Sequence, residues 1–318
     1  MSYCLGPAAP WSSLSSLGCG SLKRIMRTLL ALALCTAAAS AQQPAAQQPA
    51  VPPQAAKPPV NVRFHEPRAL NFDDHAGFVQ IFDGKTLTGW DGDPAIWRVE
   101  DGAIVGESTS LTVRPPNTYI SYHGKGRDAA GSEDASAVAH DFDLKLEVKV
   151  EHGGGTGIQY RGTVGQPWIR ARPGQPLPKP AWLMTGPQAD FWFPVDPQHE
   201  QYSGQFYSEN TTLGILTWRG QVTESTTTQD GETTDNAVVG TIGDRNGLGG
   251  YVRNNGWNQY EIIARGPVMM HILNGQLMAV FLDDDVKSSN NIAGLIGIEL
   301  EGTPTKISVR NVWLRKVN

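Results

Sequence analysis

Residues 141–151 read DFDLKLEVKVE, and this stretch decides the fold class. Every second position is apolar: Phe142, Leu144, Leu146, Val148 and Val150. Charged side chains occupy the positions between them. Successive side chains of a strand point to opposite faces, so this period of two predicts a β-strand with one face on a core and the other in water.

The same pattern continues on both sides of this strand. Alternating runs flank the dipeptides Asp101-Gly102 and Asn274-Gly275, and such dipeptides predict tight β-hairpins. FVQIF (78–82) and KISVRNVWLRK (306–316) predict a first and a last strand. No stretch combines three helical turns with an apolar stripe. We therefore predict an all-β protein, a two-sheet antiparallel sandwich of the jelly-roll type.

Two stretches interrupt the alternation. Residues 163–182 are rich in proline and include Trp168 and Trp182. Residues 219–236 are polar and rich in threonine. Long loops in a compact domain are usually functional or disordered. We expect the first stretch to frame a site and the second to be a solvated loop.

Charge and cysteine content exclude several classes of function. The formal net charge is −5, and residues 61–318 contain no cluster of basic side chains. Nucleic acid is therefore not an expected partner, because phosphate binding requires basic patches. The cysteines are Cys4, Cys19 and Cys35. A disulfide framework or a cysteine-based metal site is therefore excluded beyond residue 35.

The first 60 residues do not resemble a folded domain. Residues 23–41 combine a basic start, a short apolar run and Ala39-Ser40-Ala41. This pattern predicts a secretory signal peptide within residues 1–41 that is cleaved after Ala41. We expect Met26 to be the start, with an over-read upstream of it. Residues 42–60 consist mainly of Ala, Gln and Pro and predict a disordered linker. The folded domain then spans 61–318, is periplasmic or secreted, and has no transmembrane segment after processing.

Seven segments of the domain resemble, in order, the 3-keto-disaccharide hydrolase family, whose members are also described as 3-keto-glucoside 1,2-lyases and 3-keto-2-hydroxy-glucal hydratases. The segments are GFVQIFDGKTLTGW (77–90), WRVEDGAIVGE (97–107), DFDLKLEVKVEHGGGTGIQYRG (141–162), GPQADF (186–191), GQFYSEN (204–210), WNQYEIIARG to HILNGQ (257–276) and GLIGIELEG to ISVRNVWLRK (294–316). The resemblance implies a concanavalin A-like jelly roll, in agreement with the strand pattern.

The resemblance also implies a substrate class and a reaction. A ketone at sugar C3 acidifies the C2 proton, so a base can remove it and the C1 group can leave by elimination. Water then adds back, and the net result is hydrolysis of a 3-keto sugar or oligosaccharide. Such a site requires a general base, a donor for the C3 oxygen and an acid for the leaving oxygen.

Alternation selects the candidate site residues. In the segments 157–162, 186–191 and 204–210, the polar side chains that share a face are Gln159, Arg161, Gln188, Asp190, Tyr207 and Glu209. Neighbouring strands would bring them together into one polar patch. Asp190 and Glu209 are the catalytic candidates for the base, and Arg161 is the candidate that holds the developing anion.

Further substrate-binding candidates are Glu299 and three tryptophans. Trp168, Trp182 and Trp192 lie in or beside loops, and flat aromatic faces suit sugar rings. His123 and His199 are either acid/base groups or surface histidines. The sequence assigns no cofactor and no metal ligands, and Asp283–Asp285 leaves a divalent metal open as an alternative.

Two other functions compete with this hypothesis. Jelly rolls host many lectins, so the domain could be a non-catalytic sugar-binding module. An ordinary endo-glycanase would need an acidic cluster along an inward-facing strand. The nearest cluster, Asp141, Asp143 and Glu147, alternates with the core face and is predicted to face water. The sequence therefore disfavours the endo-glycanase.

Overall fold

The computed structural model describes residues 67–109, 117–124, 137–169, 180–229, 231, 234–302 and 304–317. The predicted signal peptide at 1–41 and the predicted linker at 42–60 lie outside the described residues, and both stay predictions. Within the described part of the chain, no helix is long and apolar enough to cross a membrane.

Strands account for most of the described domain. They are β1 (Val79–Gln80), β2 (Trp90–Gly92), β3 (Trp97–Glu100), β4 (Ala103–Ser108), β5 (Thr118–Tyr122), β6 (Phe142–His152), β7 (Gly155–Val164), β8 (Met184–Trp192), β9 (Phe206–Glu209), β10 (Gly214–Thr217), β11 (Gln221–Thr227), β12 (Thr234–Thr241), β13 (Asn258–Arg265), β14 (Val268–Leu273), β15 (Gln276–Asp284), β16 (Leu295–Leu300) and β17 (Thr305–Lys316). A 3₁₀ turn at Glu200–Tyr202 and a short helix α1 (Arg245–Gly249) complete the elements.

The strands form two sheets, which confirms the predicted all-β sandwich. Sheet A has the order β12-β11-β15-β14-β13-β6-β17-β4-β3, with β1 paired to β17. Sheet B has the order β10-β9-β8-β7-β16-β5-β2. The pairs are antiparallel, with one parallel pair between β11 and β15.

The core lies between the two sheets. Phe142, Leu144 and Val148 from β6 are fully buried, as are Ile158 and Tyr160 from β7. These side chains belong to one apolar cluster. The alternation in 141–151 therefore has the predicted cause, burial of every second side chain.

The other face of β6 differs from the prediction, because part of it is covered. Lys145 is buried, and its Nζ donates to the backbone carbonyls of Asn71, Phe72 and Asp74 at 3.0, 3.1 and 2.9 Å. Asp143 is buried as well. The segment that precedes the first strand packs over this end of the sheet, which sequence alternation on β6 alone does not reveal.

The two predicted hairpins are confirmed. Asp101-Gly102 joins β3 to β4, and Asn274-Gly275 joins β14 to β15. Asp101 and Asn274 have φ of 49°, and their glycines have φ of 76° and 81°. Both central residues of each turn are thus left-handed, which Asp, Asn and Gly adopt most readily. The first strand is shorter than FVQIF predicts and covers only Val79–Gln80.

The expectation of a solvated loop at 219–236 is wrong. Residues Gln221–Thr227 form β11, and the stretch ends inside β12. Threonine is β-branched and favours extended backbone, so a polar Thr-rich stretch suits a strand near the edge of a sheet. The low hydrophobicity reflects this edge position, since most of β12 is exposed.

The outer face of sheet B is divided into two parts. One part is covered by a second apolar cluster, Tyr119, Ala137, Leu183, Met184 and Leu295. The side chain of Met184 lies against Gly162 and Gly297, where a Cβ would collide with it. The other part of this face is open and polar, and it contains the candidate site.

Candidate functional site

A cavity of about 230 Å³ lies on the open part of the outer face of sheet B. This volume suits a small ligand, since pockets for drug-sized molecules usually measure about 300–1,000 Å³. Its lining residues are Asn117, Gln188, Asp190, Trp192, Tyr202, Gln205, Tyr207, Glu209, Ile215, Glu299 and Glu301.

Strand alternation explains why polar side chains converge here. In β8, Ala189 and Phe191 pack into the core, so Gln188 and Asp190 point outward. β9 lies next to β8, and Gln188 is paired in register with Tyr207. Polar positions of adjacent strands therefore meet on one face.

Glu299 from β16 is held by three side-chain donors. Gln188 Nε2 donates to its Oε2 at 2.5 Å, and Tyr119 Oη and Asn117 Nδ2 donate to its Oε1 at 2.8 and 2.5 Å. Burial and the nearby carboxylates raise the pKa of Tyr119 well above its usual value, so this phenol stays a donor. Donors of this kind fix the carboxylate of Glu299 in place.

Asp190 has a different environment. The residue is 6% exposed, and Gln205 Nε2 donates to Asp190 Oδ2 at 2.6 Å. Burial is the largest cause and raises the pKa of Asp190 well above its usual value. The hydrogen bond from Gln205 lowers this pKa by less, and the charges of Glu299 and Glu209 raise it again. A raised pKa brings a carboxyl group closer to the range in which a general base works.

The backbone of Gln205 is in turn bound by the buried pair of His271 and Tyr160. His271 Nδ1 lies 3.1 Å from the Gln205 carbonyl oxygen, and His271 Nε2 lies 2.8 Å from Tyr160 Oη. Burial lowers the pKa of His271 to about 4, so the ring is neutral above that pH. The neutral ring donates from Nδ1 to Gln205 and accepts from Tyr160.

An aromatic wall, formed by Trp192, His199 and Tyr202, stands at one side of the cavity. The rings of Trp192 and His199 are stacked with centroids 4.9 Å apart, and Trp192 meets Tyr202 edge-on at 5.5 Å. All three side chains are half-buried. The flat apolar surface of Trp192 is of the kind that packs on sugar rings.

The structure brings six of the predicted site residues together. They are Gln188, Asp190, Trp192, Tyr207, Glu209 and Glu299. Their catalytic and binding roles stay predictions. The other four, Gln159, Arg161, Trp168 and Trp182, are not among the residues that line the cavity.

Arg161 is the clearest correction. Its side chain is fully buried, and it donates to His140 O at 2.8 Å, Gly266 O at 2.9 Å and Asn291 Oδ1 at 3.0 Å. The pairing of β7 with β8 shifts register between Gln159 and Thr163, and Arg161 has φ of 50°. This bulge breaks the period of two, so Arg161 does not share the direction of Gln159. Its guanidinium joins loops and does not face the cavity.

The remaining three residues lie under the covered part of sheet B or at its edge. Gln159 is fully buried, and its Cγ lies against Gly162. Trp168 packs against the second apolar cluster. Trp182 directs its Nε1 to Asp91 Oδ1 at 3.5 Å. Both tryptophans of the proline-rich stretch therefore contact other parts of sheet B and do not line the cavity, while residues 170–179 between them lie outside the described residues.

Several lining residues were missed from the sequence. Glu301 follows Glu299 by two positions, so alternation could have found it, and Asn117 likewise precedes Tyr119 by two. Tyr202 and Gln205 lie in and after a 3₁₀ turn. A turn of this kind has no simple periodicity, so nothing in the sequence directs these two side chains to the cavity.

The alternative that Asp283–Asp285 binds a divalent metal has no supporting set of ligands among the described residues. Among the residues that the structure describes, no group of three or more His, Asp or Glu side chains could hold a metal ion. Asp283 Oδ2 accepts from Ser288 Oγ at 2.6 Å, and Asp285 Oδ1 accepts from Thr227 Oγ1 at 2.5 Å. These carboxylates connect the end of β15 to the neighbouring loop and hairpin.

Comparison with known proteins places the chain in a sequence family. Residues 77–315 match the family described as the 3-keto-alpha-glucoside-1,2-lyase-like domain. A protein of Bacteroides thetaiotaomicron named 3-keto-disaccharide hydrolase is 34% identical over 97 residues, which is 27% of this chain. The match spans only 28% of that relative's length.

The chain is less similar to solved structures than to its sequence family. One is a protein of Parabacteroides distasonis, described provisionally as a glycosyl hydrolase, with 18% identity and a TM-score of 0.41 over 76% of this chain and 95% of that one. Another is the carbohydrate-binding module CBM66 of Bacillus subtilis, with 15% identity and a TM-score of 0.38 over 72% of this chain and 96% of that one.

Proposed function

Because this chain belongs to the 3-keto-alpha-glucoside-1,2-lyase-like family, we propose that it cleaves 3-keto glucosides or 3-keto disaccharides in the cavity of sheet B. The reaction is elimination across C1 and C2 followed by addition of water, with net hydrolysis. The observation that carries this proposal is the environment of Asp190, a buried carboxyl group with a raised pKa in a polar cavity.

Asp190 is the base that removes the C2 proton in this scheme. General bases work best when their pKa lies near the working pH, and the pKa of Asp190 is shifted in that direction. Accepting the proton also removes a buried negative charge, which the neighbouring carboxylates Glu209 and Glu299 favour. The carboxyl proton exchanges with solvent before water adds to C1, and Asp190 then gives a solvent-derived proton to C2.

The C3 oxygen gains negative charge as the C2 proton leaves, and it needs a hydrogen-bond donor. Arg161 cannot serve, since its guanidinium is used elsewhere. Tyr202 lines the cavity, and its hydroxyl donates to no other described residue. We assign this hydroxyl to the C3 oxygen. The ring of Trp192 packs on His199 and over Gly155, so we assign its edge to the apolar side of the sugar.

The experiment that tests the proposal is turnover of 3-keto-trehalose or a 3-keto aryl glucoside in deuterated water. Elimination and rehydration should leave deuterium at C2 of the released sugar. Release without deuterium would contradict the elimination and favour direct displacement. Binding of the substrate without any release would favour the alternative, a sugar-binding module without catalysis.

Export is part of the proposal. The basic and apolar stretch at 23–41 supports cleavage after Ala41 and a periplasmic or secreted location. N-terminal sequencing of the protein from cell fractions checks this directly. A mature protein that begins at Gln42 outside the cytoplasm is expected, and an uncleaved chain in the cytoplasm would contradict it.

A further inference from the structure

A carboxylate–imidazole pair stands in the aromatic wall and has no part in the scheme so far. His199 Nδ1 lies 2.8 Å from Asp196 Oδ2, three residues earlier in the chain. The pair precedes the 3₁₀ turn that carries Tyr202. Asp196 accepts the Nδ1 proton, so Nε2 is the nitrogen that can gain or lose a proton.

The nitrogen Nε2 of His199 is accessible. The side chain is 38% exposed, and the single hydrogen bond that its ring makes to a described residue is the one to Asp196. The ring is stacked on Trp192 at 4.9 Å and lies 5.7 Å from the ring of Tyr202. Both neighbours line the cavity, so His199 lies at its rim.

The rim segment is anchored firmly enough to hold this geometry. The backbone N–H of Glu200 donates to Asp196 O at 3.0 Å, and Trp192 N donates to Ser203 Oγ at 3.0 Å. The buried Arg219 donates through Nη1 to the carbonyls of Glu200 and Ser203 at 3.0 and 3.2 Å. A catalytic imidazole needs such fixed support on both sides.

We propose that His199, oriented by Asp196, is the acid for the leaving group, an assignment that rests on the proposed function. As the C1–O bond breaks, protonated Nε2 gives its proton to the glycosidic oxygen, and the aglycone departs as a neutral alcohol. Neutral Nε2 then takes a proton from the water whose oxygen bonds to C1, while Asp190, whose proton has exchanged with solvent, protonates C2. Both groups end in their starting states.

The competing explanation is that His199 only supports the aromatic wall. The chain offers a matched control, because His75 is stacked on Trp313 at 4.2 Å and is also half-buried. Neither His75 nor its stacking partner Trp313 lines the cavity, whereas the stacking partner of His199, Trp192, does. His75→Asn therefore removes a comparable stack without touching the cavity.

Leaving-group dependence separates the two explanations. We compare His199→Asn and His75→Asn with the wild type on 3-keto 4-nitrophenyl glucoside and on 3-keto methyl glucoside. Nitrophenolate leaves without a proton, whereas methoxide requires one. His199→Asn should lose about 10²-fold or more in kcat/KM on the methyl glucoside, with less than about a threefold loss on the nitrophenyl glucoside. Asp196→Asn should show a smaller loss with the same selectivity.

The outcomes are distinct. Equal losses of His199→Asn on both substrates, or no loss on the methyl glucoside, would overturn the assignment of His199 alone. His75→Asn should keep wild-type activity on both, and melting temperatures of the two histidine variants check that folding is preserved. Inactivity of the wild type on both substrates would overturn the proposed function and this assignment with it.

Discussion

Asp143 and Asp190 are almost equally buried, at 2% and 6% exposure, but their surroundings differ. Asp143, on the outer face of sheet A, lies between two arginines. Its Oδ1 accepts from Arg265 at 2.5 Å, and its Oδ2 accepts from Arg315 Nε at 2.9 Å. Asp190, on the outer face of sheet B, accepts from the neutral amide of Gln205 and has other carboxylates near it.

The difference shows which buried carboxylate is structural and which is suited to chemistry. A carboxylate between two guanidinium groups is stabilised in its charged form and ties strands together. A buried carboxylate among other carboxylates favours its protonated form. Burial therefore does not by itself identify a reactive group, and the sign of the neighbouring charges decides.

The largest expected effect comes from replacing the group suited to chemistry. Asp190→Asn should lower kcat for 3-keto glucosides by about 10²–10⁴-fold, the usual contribution of a general base. The amide has the same shape and can still accept from Gln205, so the fold should be kept. Steady-state kinetics measures the loss. Activity within about twofold of the wild type would remove Asp190 from the reaction.

Arg161 extends the comparison of the two buried carboxylates to a buried positive charge. Arg161→Met should lower the free energy of unfolding by roughly 3–5 kcal/mol, because the carbonyls of His140 and Gly266 lose a charged donor. Denaturant unfolding measures this cost. KM of the folded fraction should stay unchanged, and a rise in KM without loss of stability would restore the sequence-based role of Arg161 in substrate binding.

Asp143 should show a smaller effect on stability. Asp143→Asn leaves Arg265 and Arg315 without their shared carboxylate, yet both arginines remain partly in water. The expected cost is roughly 1–3 kcal/mol, between the values for exposed and buried pairs. kcat per folded molecule should match the wild type, and a loss of activity would mean that the outer face of sheet A contributes to function.

The smallest effect is the pH dependence of stability. Because the pKa of Asp190 is raised by folding, the unfolded carboxyl ionises first, at about its ordinary value of 3.8. The wild type should therefore lose stability relative to Asp190→Asn as pH rises above that value and through the folded pKa. Chemical unfolding of both proteins over a pH series measures the difference. A difference that does not grow with pH would contradict the raised pKa.

Much of the fold follows from local patterns. The alternation in 141–151 predicted a strand whose apolar face is buried, and two turn dipeptides predicted hairpins that are present. Prediction failed where polarity was taken as a sign of a loop. The Thr-rich stretch contains β11 and the start of β12, because strands near a sheet edge do not need an apolar face.

The candidate site was predicted in part for the same reason. Gln188, Asp190, Tyr207 and Glu209 follow alternation on adjacent strands, and all four line the cavity. Arg161 failed because of a bulge, which shifts alternation locally. The glycine that follows it is a weak signal, since glycine inside a strand often marks such a bulge.

The sequence by itself determined which side chains of each regular strand share a face, because that follows from backbone geometry over a few residues. Only the tertiary structure decided which strands are neighbours, where the register slips, and which charges face each carboxylate. Those features arise between segments far apart in the chain, such as Asn117 and Glu299. Asp143 and Asp190 look alike in the sequence, and contacts of this long-range kind give them different roles.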